Sequence, residues 1–209
     1  AIHGIQMETV NEPRAVDVEM LRLNDPRLAT RANEGHVAVV ISGVTLRNSP
    51  AWTVHPLFCE NVRIEGITIV NPADSPNTDG INPESCRNVR ITDCHIDVGD
   101  DCIAIKAGSE GGGNGVPCEN ITVTNCTMVH GHGGVVIGSE MSGGVRRVVI
   151  SNCVFQDTDR GIRMKTRRGR GGTVEDIRVT NVIMDGVMCP ITVNPFYFCG
   201  PEGKLPIVS

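Results

Sequence analysis

Short β-branched runs recur along the chain at near-regular spacing. NVRIEGITI from Asn61, NVRITDCHI from Asn88, NITVTNCTM from Asn120, RVVISNCVF from Arg147 and DIRVTNVIM from Asp176 read alike. AVVISGVTL from Ala38 precedes them, and successive starts lie 23 to 32 residues apart. A second run follows each copy: TVHPL from Thr53, GINPE from Gly80, CIAIK from Cys102, GVVIG from Gly134, GIRMK from Gly161 and PITVN from Pro190. Within this set Val54, Ile81, Ile103, Val135, Ile162 and Ile191 align, as do Ile105, Ile137, Met164 and Val193. The intervening column holds His55, Asn82, Ala104, Val136, Arg163 and Thr192. Alternation at period two predicts strands with one buried face and one exposed face. Paired strands recurring with no helix-length segment between them predict an all-β parallel β-helix of about seven coils. A β-sandwich would instead need hairpin turns and would give no in-register columns.

Composition refines this picture. The 209 residues are one domain's worth of chain, with 3% aromatics, 24 Gly and nine Cys. A core this poor in rings must be built from aliphatic columns. Cys94, Cys126 and Cys153 share one repeat position with Val44, Ile67 and Val182, and Cys59, Cys86 and Cys118 share another. Six cysteines therefore read as small core hydrophobes, although neighbouring ladder thiols have the option of oxidising in pairs. Asn125, Asn152 and Asn181 form a further column, expected to be stacked turn amides. No apolar run approaches the ~18 residues of a membrane span. The net charge of −5 argues against a nucleic-acid binder with a basic surface. Residues 37–200 carry the repeat, followed by a tail over 201–209. Residues 1–36 fall outside it, with VDVEMLRL from Val16 read as a short helix or an irregular edge strand. As a poor cap for a solenoid end, that segment points to missing N-terminal coils. The chain begins at Ala1 with no signal-peptide pattern.

The alignment also concentrates chemistry. Asp79 and Asp101 stand in one column on consecutive coils, Asp100 lies beside Asp101, and His132 occupies the Asp100 column one coil later. Carboxylates stacked ~5 Å apart repel, so such a cluster is either functional, filled by calcium, or a set of capped turn acids. Hydrolysis of a glycosidic bond needs one acid and one carboxylate that activates water, and crowding can keep one carboxyl protonated for the first task. The stretch RGIRMKTRRGR from Arg160 holds six bases and no acid. Arg163 and Lys165 flank the inward Met164, so both belong to the outward face beside the acids, where they suit an anionic sugar. Arg167, Arg168 and Arg170 read as a solvated charge run. His130 and His132 lack a third metal ligand on their strand. The glycine loop from Gly108 to Gly115 has no phosphate-loop ending and reads as a flexible connection.

These motifs resemble those of glycoside hydrolase family 28, the polygalacturonases and their relatives. The family pattern is NTD, DD, GHG and RxK on successive coils of a right-handed β-helix. It stands here as Asn77-Thr78-Asp79, Asp100-Asp101, Gly131-His132-Gly133 and Arg163-Met164-Lys165, with Tyr197 in PITVNPFYF. The resemblance covers about residues 38–200. It implies hydrolysis of α-1,4-linked polygalacturonate or pectin with inversion, by a protein expected to be monomeric. Asp100 would be the general acid, Asp79 and Asp101 the bases that position and activate water, and His132 the group that tunes Asp100. Asn77, Arg163, Lys165 and Tyr197 would bind substrate. Neither metal nor organic cofactor, and neither nucleic acid nor membrane, is implied. Such a substrate places the protein outside the cytoplasm, secreted or periplasmic. GHGGVVIGSEMSGGVRRV is more similar to the exo-acting branch. Two alternatives are a β-helix polysaccharide lyase and a truncated, non-catalytic galacturonan binder, since family members are generally longer.

Overall fold

The computed structural model describes residues 15–17, 21–22, 39–109 and 115–197. The tail over 201–209, most of the 1–36 segment and the middle of the Gly108–Gly115 loop lie outside the described residues. Six first arms of the repeat fall at β3 (Val39–Ser42), β6 (Glu60–Glu65), β8 (Arg87–Thr92), β11 (Cys118–Thr124), β14 (Val145–Gln156) and β16 (Val174–Asp185). Companion strands β4 (Thr45–Arg47), β7 (Thr68–Val70), β9 (His95–Val98) and β12 (Thr127–His130) follow the earlier arms in the same stack. The second runs form another stack: β5 (Val54–His55), β10 (Asp101–Ile105), β13 (Gly133–Gly138), β15 (Arg160–Lys165) and β17 (Cys189–Asn194). Bridges Val54↔Ile81 and Ile81↔Ile103 carry that stack through the GINPE coil.

The pairings between strands of the repeat are parallel and in the expected register, for example Ile103↔Val135, Val135↔Ile162 and Ile162↔Ile191. The chain is a parallel β-solenoid that completes about five turns between β3 and β16. That is fewer than the seven or so coils expected from the sequence. Within the 1–36 segment, β1 (Ala15–Asp17) pairs with β4 and β2 (Leu21–Arg22) pairs with β5, so VDVEMLRL supplies edge-strand backbone rather than a helix.

The interior is the set of aliphatic and thiol columns. Ile64, Ile91, Ile121, Val123, Cys126 and Cys153 are among its buried members, and Phe155 is the largest fully buried side chain. The two cysteine ladders remain thiols, with the Cys59 N–H donating to Cys86 Sγ and the Cys86 N–H to Cys118 Sγ, both at 3.4 Å. Corners between arms repeat a left-handed residue. Asn125, Asn152 and Asn181 hold φ of 55°, 55° and 51°, a region that Asn tolerates better than other residues with a Cβ. One rung of the expected amide stack is Asn181 Nδ2 donating to Asn152 Oδ1 at 2.6 Å, while Asn125 Nδ2 donates to Asp93 Oδ1 at 3.3 Å. A second amide ladder, Asn61–Asn88–Asn120, runs along another corner at 3.2 and 3.0 Å.

The apolar columns depart from expectation at their last members. Ile191 and Val193 align with buried residues yet are 70% and 68% exposed, because no described residue stacks beyond them. Elsewhere the core is tight: a Cβ at Gly134 would lie 3.0 Å from the Phe155 ring. Truncating that ring leaves a void between two layers, so Phe155→Ala is expected to cost about 3–5 kcal/mol. A denaturant titration followed by far-ultraviolet circular dichroism checks this. An unchanged midpoint would mean the ring is not the core's central member.

Candidate active site

The outward face of the second-run stack gathers most of the expected residues. The Asp101↔Gly133 pairing places His132 directly over Asp100, with the His132 N–H donating to the Asp100 carbonyl at 3.0 Å. The Gly80 N–H donates to the Asp101 carbonyl at 3.0 Å, which sets Asp79 one coil before Asp101. Each of Asp79, Asp100 and Asp101 offers an oxygen within 4.8 Å of the others. That spacing would suit a cation, but both Asp101 oxygens already hold one from the chain. Lys165 Nζ lies 2.6 Å from Oδ2 and Arg163 Nη1 lies 3.4 Å from Oδ1.

Local chain geometry explains the crowding. The Asn71–Asp79 loop is pinned by the buried Asn71 side chain, which donates to Thr53 Oγ1 and to the Thr78 carbonyl and accepts from the Ser49 N–H. It lies so close to the next coil that a Cβ on Gly99 would sit 2.4 Å from the Ser75 carbonyl oxygen. Gly133 performs the same service on the other side. A Cβ there would press against Val136 Cγ2 at 2.5 Å and lie 3.5 Å from Asp101 Oδ1 and 3.6 Å from Arg163 Cβ. With only hydrogen at this position, Arg163 and Lys165 reach across one coil to Asp101.

The three carboxyls sit in different fields. Asp79 is 3% exposed, and burial together with the neighbouring Asp101 and Asp100 charges pushes its pKa up to about 7. Lys106 and the Asn82 amide, which donates to Asp79 Oδ2 at 2.8 Å, oppose that rise without cancelling it. Burial also pushes Asp100 upward but is outweighed, chiefly by His132, whose Nδ1 stands 3.3 Å from Asp100 Oδ1. Asp100 is thus held below the ordinary aspartate value, and the same pair raises His132 above the ordinary histidine value. Crowding was expected to keep a carboxyl protonated; at Asp79 burial is the larger cause of the rise, and the neighbouring charges add to it. Asp100, the residue the resemblance implies as acid, is instead held toward its ionised form by His132.

The remaining expected residues divide. Tyr197 closes the cationic end, its ring centroid 5.4 Å from the Arg163 guanidinium carbon and 5.1 Å from Lys165 Nζ. Asn77 is exposed with φ of 56°, and its backbone N–H donates to Asp100 Oδ2 at 3.2 Å. His130 turns away from the site to Asp97, 2.8 Å distant. Arg170, expected in a solvated run, is buried with its guanidinium 3.9 Å from Glu140, because the chain after β15 folds back over that carboxylate.

Sequence reasoning passed over one group. Lys106 is 3% exposed and bonds Glu140 Oε2 at 2.6 Å. Burial raises the Glu140 carboxyl, but Lys106 outweighs it and holds the pKa at about 2. The sole signal was a lysine ending an otherwise apolar strand, CIAIK.

Asp79 yields a linkage prediction. Its folded pKa lies above its unfolded one, so its contribution to stability is full below the ordinary value of 3.8 and is lost as pH rises to about 7. Asp79→Asn removes the titration. Relative to the parent, the variant is expected to gain stability progressively across that window, by up to roughly 4 kcal/mol. Urea midpoints at several pH values measure the difference, and a constant offset would refute the raised carboxyl.

Comparison with known proteins accords with this arrangement. The sequence profile of glycosyl hydrolases family 28 matches residues 25–205. A probable polygalacturonase of Vitis vinifera is 47% identical over 149 residues, covering 70% of this chain and 30% of that protein. Among solved structures, a hyperthermoactive exopolygalacturonase from Thermotoga maritima superposes with a TM-score of 0.74 at 37% identity, covering 82% of this chain and 44% of its own. The polygalacturonase from Erwinia carotovora gives 0.70 at 32% identity, covering 77% and 41%. The chain thus spans about a third of the length of the curated relative and less than half of each solved enzyme. With the profile matched over most of its length and the stacked carboxylates in register, the chain belongs to glycosyl hydrolases family 28.

Proposed function

We propose that the protein hydrolyses α-1,4 bonds of polygalacturonate or pectin outside the cytoplasm, removing sugars from the chain end. The observation that carries this reading is the adjacency of three carboxyls to a cationic end made by Arg163, Lys165 and Tyr197. Acid chemistry and recognition of an anionic sugar meet there within two coils. The two cations bind Asp101 in the free protein, and a galacturonate carboxylate arriving beside them gains bidentate partners without burying an unpaired charge. Asn77, exposed at the cleft edge, is assigned a further sugar contact.

Asp100 is assigned as general acid. It is the least buried of the three carboxyls, and the His132 hydrogen bond holds one proton between the two groups. His132 passes that proton to Asp100 as the leaving oxygen draws it away. Asp79 and Asp101 position and activate water as a pair. Their approach is close: inverting carboxyl pairs usually stand ~6.5–9.5 Å apart and retaining pairs ~5–5.5 Å. Neither group, however, presents a free carboxylate to the anomeric carbon. Asp101 is engaged by two cations, and Asp79 is buried against Asn82. That favours attack by water, and we assign inversion on this ground.

The test is release of reducing ends from polygalacturonate with a chelator present. Asp100→Asn is expected to lower kcat by ~10²–10⁴-fold, and His132→Ala to remove the alkaline limb set by the raised imidazole. Nuclear magnetic resonance of the first product reads the anomer, β for inversion and α for retention. Monomer from the earliest times marks exo action, and a ladder of oligomers marks endo action. An ultraviolet-absorbing product lost on chelation would make the protein a lyase, and binding without release would make it a carbohydrate-binding solenoid.

A further inference from the structure

Trp52 is the chain's single tryptophan, in a protein whose core is otherwise built from aliphatic and thiol columns. It is not a core residue. The Thr53 N–H donates to the Asp79 carbonyl at 2.8 Å and Val54 bridges Ile81, so Trp52 stands in the Asp79–Asp101 column, one coil before Asp79. Arg163, Lys165 and Tyr197 lie on the opposite side of the carboxylates, on later coils. The carboxyl cluster therefore has a cationic end after it and an aromatic end before it.

What supports the indole is polar. Lys106 Nζ sits 4.4 Å from its centroid, and that ammonium is locked in turn to Glu140 Oε2 at 2.6 Å. His55 meets the ring edge-on, with centroids 4.9 Å apart at 87°, and is itself fixed by Glu84 at 2.7 Å. A ring used only to seal a core would lie on apolar atoms. This one is carried on a part-buried ion pair and a histidine–glutamate pair, which fix its plane, and Trp52 as a whole is half-buried rather than enclosed. A half-buried aromatic held in place beside this carboxyl cluster is suited to the apolar C–H face of a sugar ring.

We propose that Trp52 is the platform of a sugar subsite on the Asp79 side of the cleft, stacking the galacturonate unit across the scissile bond from Arg163, Lys165 and Tyr197. Lys106 and Glu140 are positioning residues for that platform, and His55 with Glu84 sets its tilt. The subsite rests on the polygalacturonate reading above and extends it, because it divides substrate recognition into charge on one side of the bond and ring stacking on the other.

The lone indole makes the test direct. The full chain carrying Asp100→Asn is titrated with trigalacturonate, and tryptophan emission and calorimetric heat are followed together. A change in emission that saturates with the binding heat is expected. Binding heat with silent emission overturns the subsite alone, whereas no binding heat overturns the polygalacturonate reading and the subsite with it. In the active protein, Trp52→Ala is expected to lower kcat/KM for trigalacturonate on the order of tenfold, mainly through KM, with Trp52→Phe recovering much of the loss. Equal loss in both variants, with circular dichroism unchanged, would also overturn it. The emission titration keeps Trp52 intact, so a folding failure of the alanine variant leaves the proposal testable.

Discussion

Each coil meets the next through parallel backbone hydrogen bonds that set every residue opposite its counterpart one repeat later, at the ~4.8 Å spacing of paired strands. No other interaction in the molecule has comparable reach. Once the register is set, whatever occupies a column is stacked on its own kind. For Ile, Val and Cys this is favourable, since apolar side chains in line bury one another and leave few voids. For Asn at the corners it is also favourable, because Asn88, Asn120 and Asn181 each donate to the asparagine before them. For Asp it is costly, and the active-site region is the place where that cost is accepted.

The same register also shapes how the cost is met. Asp79, Asp100 and Asp101 do not share one counter-charge. Lys165 and Arg163 reach Asp101 across the bare Gly133 position, His132 lies directly on Asp100, and Asp79 has only the Asn82 amide and the field of a lysine already committed to Glu140. Two chemically identical side chains, Asp79 and Asp100, are thereby shifted in opposite directions, the kind of separation that acid–base work requires. Asp79 is buried without a cation of its own, so the raised pKa falls there.

Period-two alternation made the columns visible in the sequence. With them came the solenoid, the cysteine and asparagine ladders, and the meeting of Asp79, Asp100, Asp101, His132, Arg163 and Lys165 on one face. Spacing along the chain is enough for such inferences because register converts sequence distance directly into position. What escaped were contacts that cross columns or depend on how far a side chain extends. Lys106 to Glu140 and Arg170 to Glu140 are set by a turn between coils, and Trp52 against Lys106 by a side chain leaning along the stack. The proton's preference for Asp79 depends on burial and the sum of several charges, neither of which a motif encodes. Ile191 and Val193 obey the pattern in alignment yet not in burial, since a column buries a residue only when another coil covers it.

Gly133 bears on the order in which the site comes into being. Solenoid coils add by contact with their immediate neighbours, but the ion pair across Gly133 joins residues 64 positions apart in sequence. Coils bearing Asp79 and Asp101 can therefore dock while their cations still belong to unwound chain. Until β15 arrives, the growing end carries an acidic stack with no Lys165 or Arg163 to offset it. In a chain that winds from its N-terminus, the coil that brings the cations proposed to hold an anionic sugar is also the coil that relieves the repulsion left by those before it.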